Sequence, residues 1–319
     1  MKILVIFTGG TIGSRTNNME ICPDETAKYL LIEEYRKHYD NKVEFSFLEP
    51  YTILSENITA QNINLLIQTI HQNINKGFDG IIVTHGTDTL QFSASALSFA
   101  FGSACLPIVL VSSNFPLEDP RSDGQAHFMA AIKLIEKKQN SGVIIPWLEK
   151  DGEISFFRPN SLVSFSERSD RLTCLTNCRY GIINTQDEFI KFPREYFLKP
   201  LNFILSEQPG ILVIDPHPAD SYTYTLSGVN AIIMRPYHSG TLCTDSPYLA
   251  DFCKKARKEN IPIFAVNSTN EISYASVRKF EQLGIIPLAD TAYINTYVKV
   301  WIGISLAKKG DRLIDFVKE

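Results

Sequence analysis

Short, unbroken apolar runs punctuate the chain at residues 3–7, 81–83, 108–111, 143–145, 211–214, 231–234 and 263–266. None alternates with polar residues, so each predicts a strand buried on both faces, as in a parallel sheet. Between the runs the spacing turns helical. Ile63, Leu66, Ile67, Ile70 and Ile74 form one stripe behind Thr59, whose hydroxyl suits a helix start. Leu90, Ala94, Leu97 and Phe101 form a second stripe, and Ala130, Ala131, Leu134 and Ile135 a third. Residues 246–258 and 274–283 repeat the pattern. Strands alternating with helices imply right-handed crossovers and a doubly wound α/β fold.

Periodicity weakens over 185–208, where Pro193 and Pro200 are followed by Pro209. The expectation is two α/β domains on largely parallel sheets, a larger one over 1–190 and a smaller one over 209–319, with 191–208 as linker. Residues 152–179, rich in Ser, Arg and Asn, read as a β-hairpin excursion.

Composition narrows the class. A chain of 319 residues, 44% hydrophobic and 21% charged, has the make-up of an ordinary globular protein. The net charge of −4, with no long run of either sign, argues against a nucleic-acid partner or a polybasic membrane surface. No apolar stretch approaches the roughly 18 residues of a membrane span. The opening apolar run meets Gly9 and Gly10 too soon for a signal peptide, so a cytoplasmic protein is expected. Cys22, Cys105, Cys174, Cys178, Cys243 and Cys253 are scattered and read as plain thiols. Cys174 and Cys178 lack the second pair or His cluster of a metal site. No dinucleotide fingerprint appears either, so neither metal nor cofactor is expected.

Ligands of parallel α/β sheets bind outside the carboxyl ends of the strands. Two loops there are chemically unusual. Thr8-Gly9-Gly10-Thr11-Ile12-Gly13-Ser14 joins paired glycines to several hydroxyls. Its spacing is not G-x-G-x-x-G and it lacks a phosphate-loop Lys, so an anion cradle, a hydroxyl nucleophile and a plain turn stay open. Thr84-His85-Gly86-Thr87-Asp88-Thr89 sets a hydroxyl beside a carboxylate where a helix begins. Either these groups cap that helix, or they serve acyl transfer, which needs a nucleophile, a proton acceptor and converging N–H groups.

In their order and separation the two loops resemble the signature loops of bacterial-type L-asparaginases. Leu54-Ser55-Glu56-Asn57-Ile58-Thr59 is similar to that family's substrate-binding Ser-polar pair before a helix. Arg121-Ser122-Asp123-Gly124 resembles its R-S-D-G segment, and Pro209-Gly210 with the strand that follows resembles the opening of its C-terminal domain. The resemblance implies an amidohydrolase that converts L-asparagine to L-aspartate and ammonia. Thr11 is then the nucleophile. Thr87 and Asp88 form a second hydroxyl–carboxylate group that binds substrate and moves protons, and Ser55 and Glu56 hold the amino-acid end. Backbone N–H groups around Thr11 and Thr87, with Gly10 and Gly86 beside them, face the substrate as oxyanion donors. The resemblance also implies a homodimer or homotetramer acting on a small amino-acid amide. Two other readings share the fold. One is an amidase for another amide, such as glutamine or the glutaminase partner of a tRNA amidotransferase, although that partner usually carries an N-terminal domain ahead of the first strand. The other is a ligand-binding homologue without turnover.

Three departures from the family pattern bear on activity. The family Lys beside the Thr-Asp pair has no match, because no Lys lies between Lys150 and Lys191. Ser164 stands at that position in the register Arg158-Pro159-Asn160-Ser161-Leu162-Val163-Ser164, or Arg158 supplies the charge from a shifted one. No Tyr falls between Thr11 and Cys22, the first being Tyr29. The distal carboxylate position reads Ile294, and Glu56 offers the missing charge instead. The remaining notable residues read as structural: His85 as a hydrogen-bonding group, His217 as part of a rigid turn, Trp147 and Trp301 as packing. Tyr237-His238-Ser239-Gly240-Thr241 is either a turn or a segment reaching a neighbouring site across a dimer.

Overall fold

All the apolar runs become strands, and all but one are covered on both faces; the run at 211–214 is instead a half-buried strand at the edge of its sheet. The computed structural model describes residues 1–17, 20–23, 26, 29–38, 43–103, 105–138, 141–163, 165, 169–175, 179–193, 197–268, 274–289 and 291–319. The chain divides into two units, Met1–Asn202 and Phe203–Glu319.

Along the first unit run β1 (Lys2–Phe7), the hairpin β2 (Ser14–Asn17) and β3 (Glu20–Pro23), α1 (Leu30–His38), β4 (Glu44–Leu48) and α2 (Ala60–His71). Then come β5 (Gly80–Thr84), α3 (Leu90–Phe101), β6 (Ile108–Val111), α4 (Gly124–Glu136) and β7 (Val143–Leu148). β8 (Ile154–Phe157), β9 (Arg179–Ile183) and β10 (Phe189–Lys191) complete it. One sheet takes eight strands in the order β10-β9-β8-β7-β6-β5-β1-β4. β4, β1, β5, β6 and β7 run parallel, and every residue of β5 and β6 is buried. Ile3, Val5, Phe7, Ile82 and Val109 form one core cluster with Phe128 and Ala131 of α4.

Local signals account for the helix starts. Thr59 accepts a hydrogen bond from the Asn62 amide at 3.4 Å, while the Thr59 amide donates to Asn62 Oδ1 at 3.0 Å. This reciprocal cap opens α2, which ends at His71 and leaves Ile74 beyond it. α3 buries not a stripe but nearly its whole circumference, Ser93, Ser95 and Ser98 included. Residues 152–179 are not a detached hairpin. β8 pairs antiparallel with both β7 and β9, so the excursion widens the main sheet.

The second unit holds β11 (Ile211–Ile214), β12 (Ala231–Met234), α5 (Pro247–Lys258), β13 (Ile263–Val266), α6 (Ala275–Arg278), α7 (Phe280–Leu283), β14 (Ile285–Leu288), α8 (Tyr293–Ser305) and α9 (Asp311–Lys318). Its four strands are parallel in the order β11-β12-β13-β14. Ile232, Met234, Leu249, Phe252 and Phe280 anchor a separate core. The helix expected over 274–283 is two short ones, which part at Lys279.

Both tryptophans pack as expected: Trp147 donates from Nε1 to the Asp170 carbonyl at 3.0 Å, and Trp301 to that of Ser206 at 2.8 Å. The cysteines correct one expectation. Cys105, Cys243 and Cys253 are free thiols, but Cys174 is disulfide-bonded, its partner lying outside the cysteines whose side chains are described. Scatter along the sequence does not prevent two thiols from meeting once the chain folds. Among the described residues no helix is long and apolar enough to cross a membrane.

Candidate active site

Strand register brings the two unusual loops level. Phe7 at the end of β1 pairs with Thr84 at the end of β5. Just beyond, the Thr8 hydroxyl donates to the Thr84 carbonyl at 2.5 Å, and the Thr8 amide donates to Thr84 Oγ1 at 3.3 Å. The segment after β4 clamps the other side. The Ile53 amide donates to the Thr8 carbonyl at 3.1 Å, and the Gly10 amide donates to the Ile53 carbonyl at 3.0 Å. Three strand-end loops therefore meet at one point.

Small residues make that meeting possible. Gly10 has φ +79°, and a Cβ there would lie 2.3 Å from the Gly86 nitrogen. A Cβ on Gly86 would lie 2.5 Å from Ser55 Oγ. Gly10, Gly86 and Ser55 are thus packed directly together, with no room for a methyl group. Ser55 is buried, and its hydroxyl donates to Asp88 Oδ2 at 3.4 Å. The Thr89 hydroxyl donates to the Ser55 carbonyl at 2.9 Å, tying the second loop to the third.

Thr11 opens a single 3-10 turn, Thr11–Gly13, closed by the Gly13 amide on the Gly10 carbonyl at 3.0 Å. The Ser14 hydroxyl donates to the same carbonyl at 2.8 Å. Thr11 and Thr87 are half-buried, whereas Asp88 and Glu56 are exposed. Among the described residues, no hydrogen bond engages the backbone N–H of Thr11 or Thr87, and no basic side chain pairs with Asp88. A half-buried hydroxyl, a neighbouring carboxylate and unengaged N–H groups have the components of acyl transfer. No group of three His, Cys, Asp or Glu that could hold a metal occurs among the described residues.

Arg158 does not join this cluster. Phe157 pairs with Ile145 in the first half of β7, and Arg158 Nη1 donates to the Ser141 carbonyl, ahead of that strand, at 3.3 Å. Its guanidinium stacks 4.7 Å from the centre of the Tyr180 ring. Because β5, β6 and β7 are parallel, the start of β7 lies at the sheet edge away from the loops that follow β1 and β5. The return of β8 carries Arg158 to the wrong edge, so it cannot supply the charge beside Asp88. Ser164, the alternative, lies outside the described residues, as does Asn18 in the tip of the first loop. Ile294 is buried in α8.

Two histidines have structural roles. His85 Nδ1 lies 2.7 Å from the Gly86 carbonyl, which can only accept, so Nδ1 carries the proton and Nε2 accepts from the Ser93 hydroxyl at 2.8 Å. His127 donates from Nδ1 to the Ser112 carbonyl and accepts the Leu148 N–H at Nε2, both at 2.8 Å. Burial pushes both imidazoles below their ordinary 6.5. The unfolded chain then binds more protons than the folded one, so stability is complete above 6.5 and falls as pH drops toward the lower folded values. The midpoint of urea unfolding is expected to be lower at about pH 5.5 than at about pH 7.5, and His127→Gln should flatten that dependence. An unchanged midpoint would show that neither imidazole is held neutral.

The R-S-D-G segment also builds structure. Asp123 accepts from the Ser113 hydroxyl, the Asn114 amide and Asn114 Nδ2 at 2.7–3.0 Å, fastening the loop after β6 to the start of α4. The exposed Arg121 pairs with Asp119 at 2.7 Å, and its hydrogen bond holds that carboxyl down at about 2.

Tyr51 was not apparent from the sequence. Burial pushes its phenol far up, next to the Thr8 hydroxyl, and its oxygen has no hydrogen bond of good geometry among the described residues. The only signal was its position after an edge strand that the apolar pattern did not reveal.

Residues 2–154 match the family model described as asparaginase, N-terminal. Over 347 aligned positions the chain is 24% identical to a glutamyl-tRNA(Gln) amidotransferase subunit of Sulfolobus acidocaldarius, covering 100% of this chain and 73% of that protein. It is 30% identical over 151 residues to an L-asparaginase of Thermococcus kodakarensis, covering 47% of this chain and 45% of that protein. The solved thermostable L-asparaginase from Thermococcus kodakarensis superposes with a TM-score of 0.81 at 20% identity, covering 100% of this chain and 97% of that one. At that identity the superposition establishes a shared fold.

Proposed function

We propose that this chain, whose residues 2–154 match the asparaginase N-terminal family model, hydrolyses the side-chain amide of L-asparagine, with Thr11 as nucleophile. The packing of Gly10 against Gly86 and Ser55 supports this reading most strongly, because it sets Thr11 and Thr87 one residue beyond a shared contact. In the proposed course, Thr11 Oγ attacks the amide carbon and its proton passes into the Thr87–Asp88 group. The N–H groups of Thr11 and Thr87 stabilise the oxyanion. The nitrogen regains a proton, ammonia leaves, and water then hydrolyses the threonyl ester to free aspartate and Thr11. Ser55, Asp88 and Glu56 hold the amino-acid end. We place this activity in a cytoplasmic homo-oligomer in which 1–190 and 209–319 act as domains.

Glutamine is the second reading, favoured by the likeness to an amidotransferase component across 100% of this chain and 73% of that protein. Ammonia release from L-asparagine, L-glutamine and their D-forms separates the two: faster release from asparagine supports the first, faster release from glutamine the second. Binding without release from any would favour a homologue that has lost turnover.

Asp88→Asn removes the charge that meets the substrate ammonium. Loss of a charge-assisted hydrogen bond, roughly 1.5–3 kcal/mol, corresponds to about 10- to 100-fold in kcat/KM. The expected result combines a raised KM with a lowered kcat. An unchanged KM would place the ammonium elsewhere.

A further inference from the structure

At the carboxyl edge of the second sheet, the loops after β11 and β12 surround a cavity of about 900 Å³. Its described lining contains Tyr222, Tyr237, Tyr248 and Tyr274 together with Asp220, His217 and His238; Asp220 is its one carboxylate, and it holds no lysine or arginine. Tyr237, Tyr248 and Tyr274 keep 38%, 59% and 64% of their surface exposed, an unusual concentration of aromatic area in one concave place.

Asp220 is held in position there. One of its oxygens accepts the Tyr222 amide at 2.8 Å and the other the Tyr224 hydroxyl at 3.2 Å, which leaves further lone pairs on both. The cation nearest in sequence, Arg235, is paired instead with Asp215 at 3.3 Å and lies over the Tyr293 ring. The loop also keeps Ala219 and Tyr222 at φ +64° and +49°, where side chains are disfavoured. Such strain persists where the surroundings fix the backbone, and it gathers at ligand sites.

The chemistry of this lining selects the ligand by charge. A phosphate or carboxylate would meet Asp220 with no lysine or arginine to offset it. A hard cation such as calcium needs several oxygen ligands, and among the described residues no three His, Cys, Asp or Glu side chains are grouped to hold a metal ion. An alkylammonium group, by contrast, is attracted by tyrosine faces and by a fixed carboxylate alike. We propose that this cavity binds a small organic cation of the alkylammonium class, its charge toward Asp220 and its alkyl groups against the tyrosine rings.

The test titrates the full chain with choline chloride and, in parallel, with 3,3-dimethyl-1-butanol, in which carbon replaces the charged nitrogen. Saturable choline binding is expected, at least about tenfold tighter than the neutral analogue. Asp220→Asn and Tyr248→Ala should each weaken choline binding about fivefold or more. Tyr248 is mostly exposed, so its truncation leaves the fold intact if Asp220→Asn does not. Cys243, an exposed thiol in the same lining, should react more slowly with N-ethylmaleimide when choline is present. Equal affinity for the two compounds would show a merely apolar cavity and overturn the proposal. So would the absence of saturation by ~100 mM choline, or choline binding unaffected by Tyr248→Ala.

Discussion

Thr11→Val is expected to lower turnover by about 10³-fold or more while leaving substrate binding nearly unchanged. Valine keeps the β-branched shape and replaces only the hydroxyl. That hydroxyl makes no hydrogen bond among the described residues, so its removal should not disturb the 3-10 turn or the Gly13–Gly10 bond that closes it. In the proposed mechanism the lost oxygen is the attacking atom and forms the acyl ester, so its whole contribution falls on chemistry. In the same proposal the amino-acid end remains held by Ser55, Asp88 and Glu56. An interaction used only on the way to the transition state lowers kcat without raising the dissociation constant. Calorimetric titration of the variant with L-asparagine should therefore give an affinity near the parent's, with ammonia release close to background. Thr11→Ser, which restores a hydroxyl, should recover part of the rate. Release at the parent rate by the valine variant would remove Thr11 from the role of nucleophile.

How much of this was legible in the sequence depended on burial. β1, β5, β6, β12 and β13 are covered on both faces, so their apolar runs were unbroken and gave their positions closely; β11, a half-buried edge strand, kept an unbroken run as well. β4 is an edge strand whose Glu44 and Ser46 interrupt the apolar pattern, and it went unread. With it went the loop carrying Tyr51. β14 contains Pro287 and also sits at an edge, where a missing N–H is tolerated. The glycines and hydroxyls of the two loops stood out by composition. Their contact did not, because it depends on the register that sets Phe7 opposite Thr84. Arg158 marks the limit most clearly. Spacing along the chain cannot say at which edge of the sheet a returning strand ends, and β8 ends at the edge remote from the two loops.

Gly10→Ala and Gly13→Ala form the second decisive comparison, since two glycines three residues apart should respond in opposite ways. At Gly10 the backbone has φ +79° and ψ 178°, a conformation that costs a side-chain-bearing residue on the order of 1–3 kcal/mol. Space adds to the cost. The new Cβ would lie 2.3 Å from the Gly86 nitrogen and 2.5 Å from its Cα, both backbone atoms that cannot rotate aside. Relief requires the second loop to move away from the first, and that loop carries Thr87 and Asp88. A displacement near 1 Å between reacting groups can cost about 100-fold in rate. Gly10→Ala should therefore lower both the unfolding midpoint and kcat/KM, the latter by about 100-fold. At Gly13 nothing lies within 4 Å of a new Cβ and the φ is not in the left-handed region. Alanine there restricts the unfolded chain and should leave stability unchanged or raised by about 0.4–1 kcal/mol, with activity preserved. Thermal unfolding and ammonia release, measured on both variants, read the two effects separately. If Gly10→Ala retained the parent's kcat/KM, the close approach of the two loops would have no part in catalysis, and the site would have to be built on other residues.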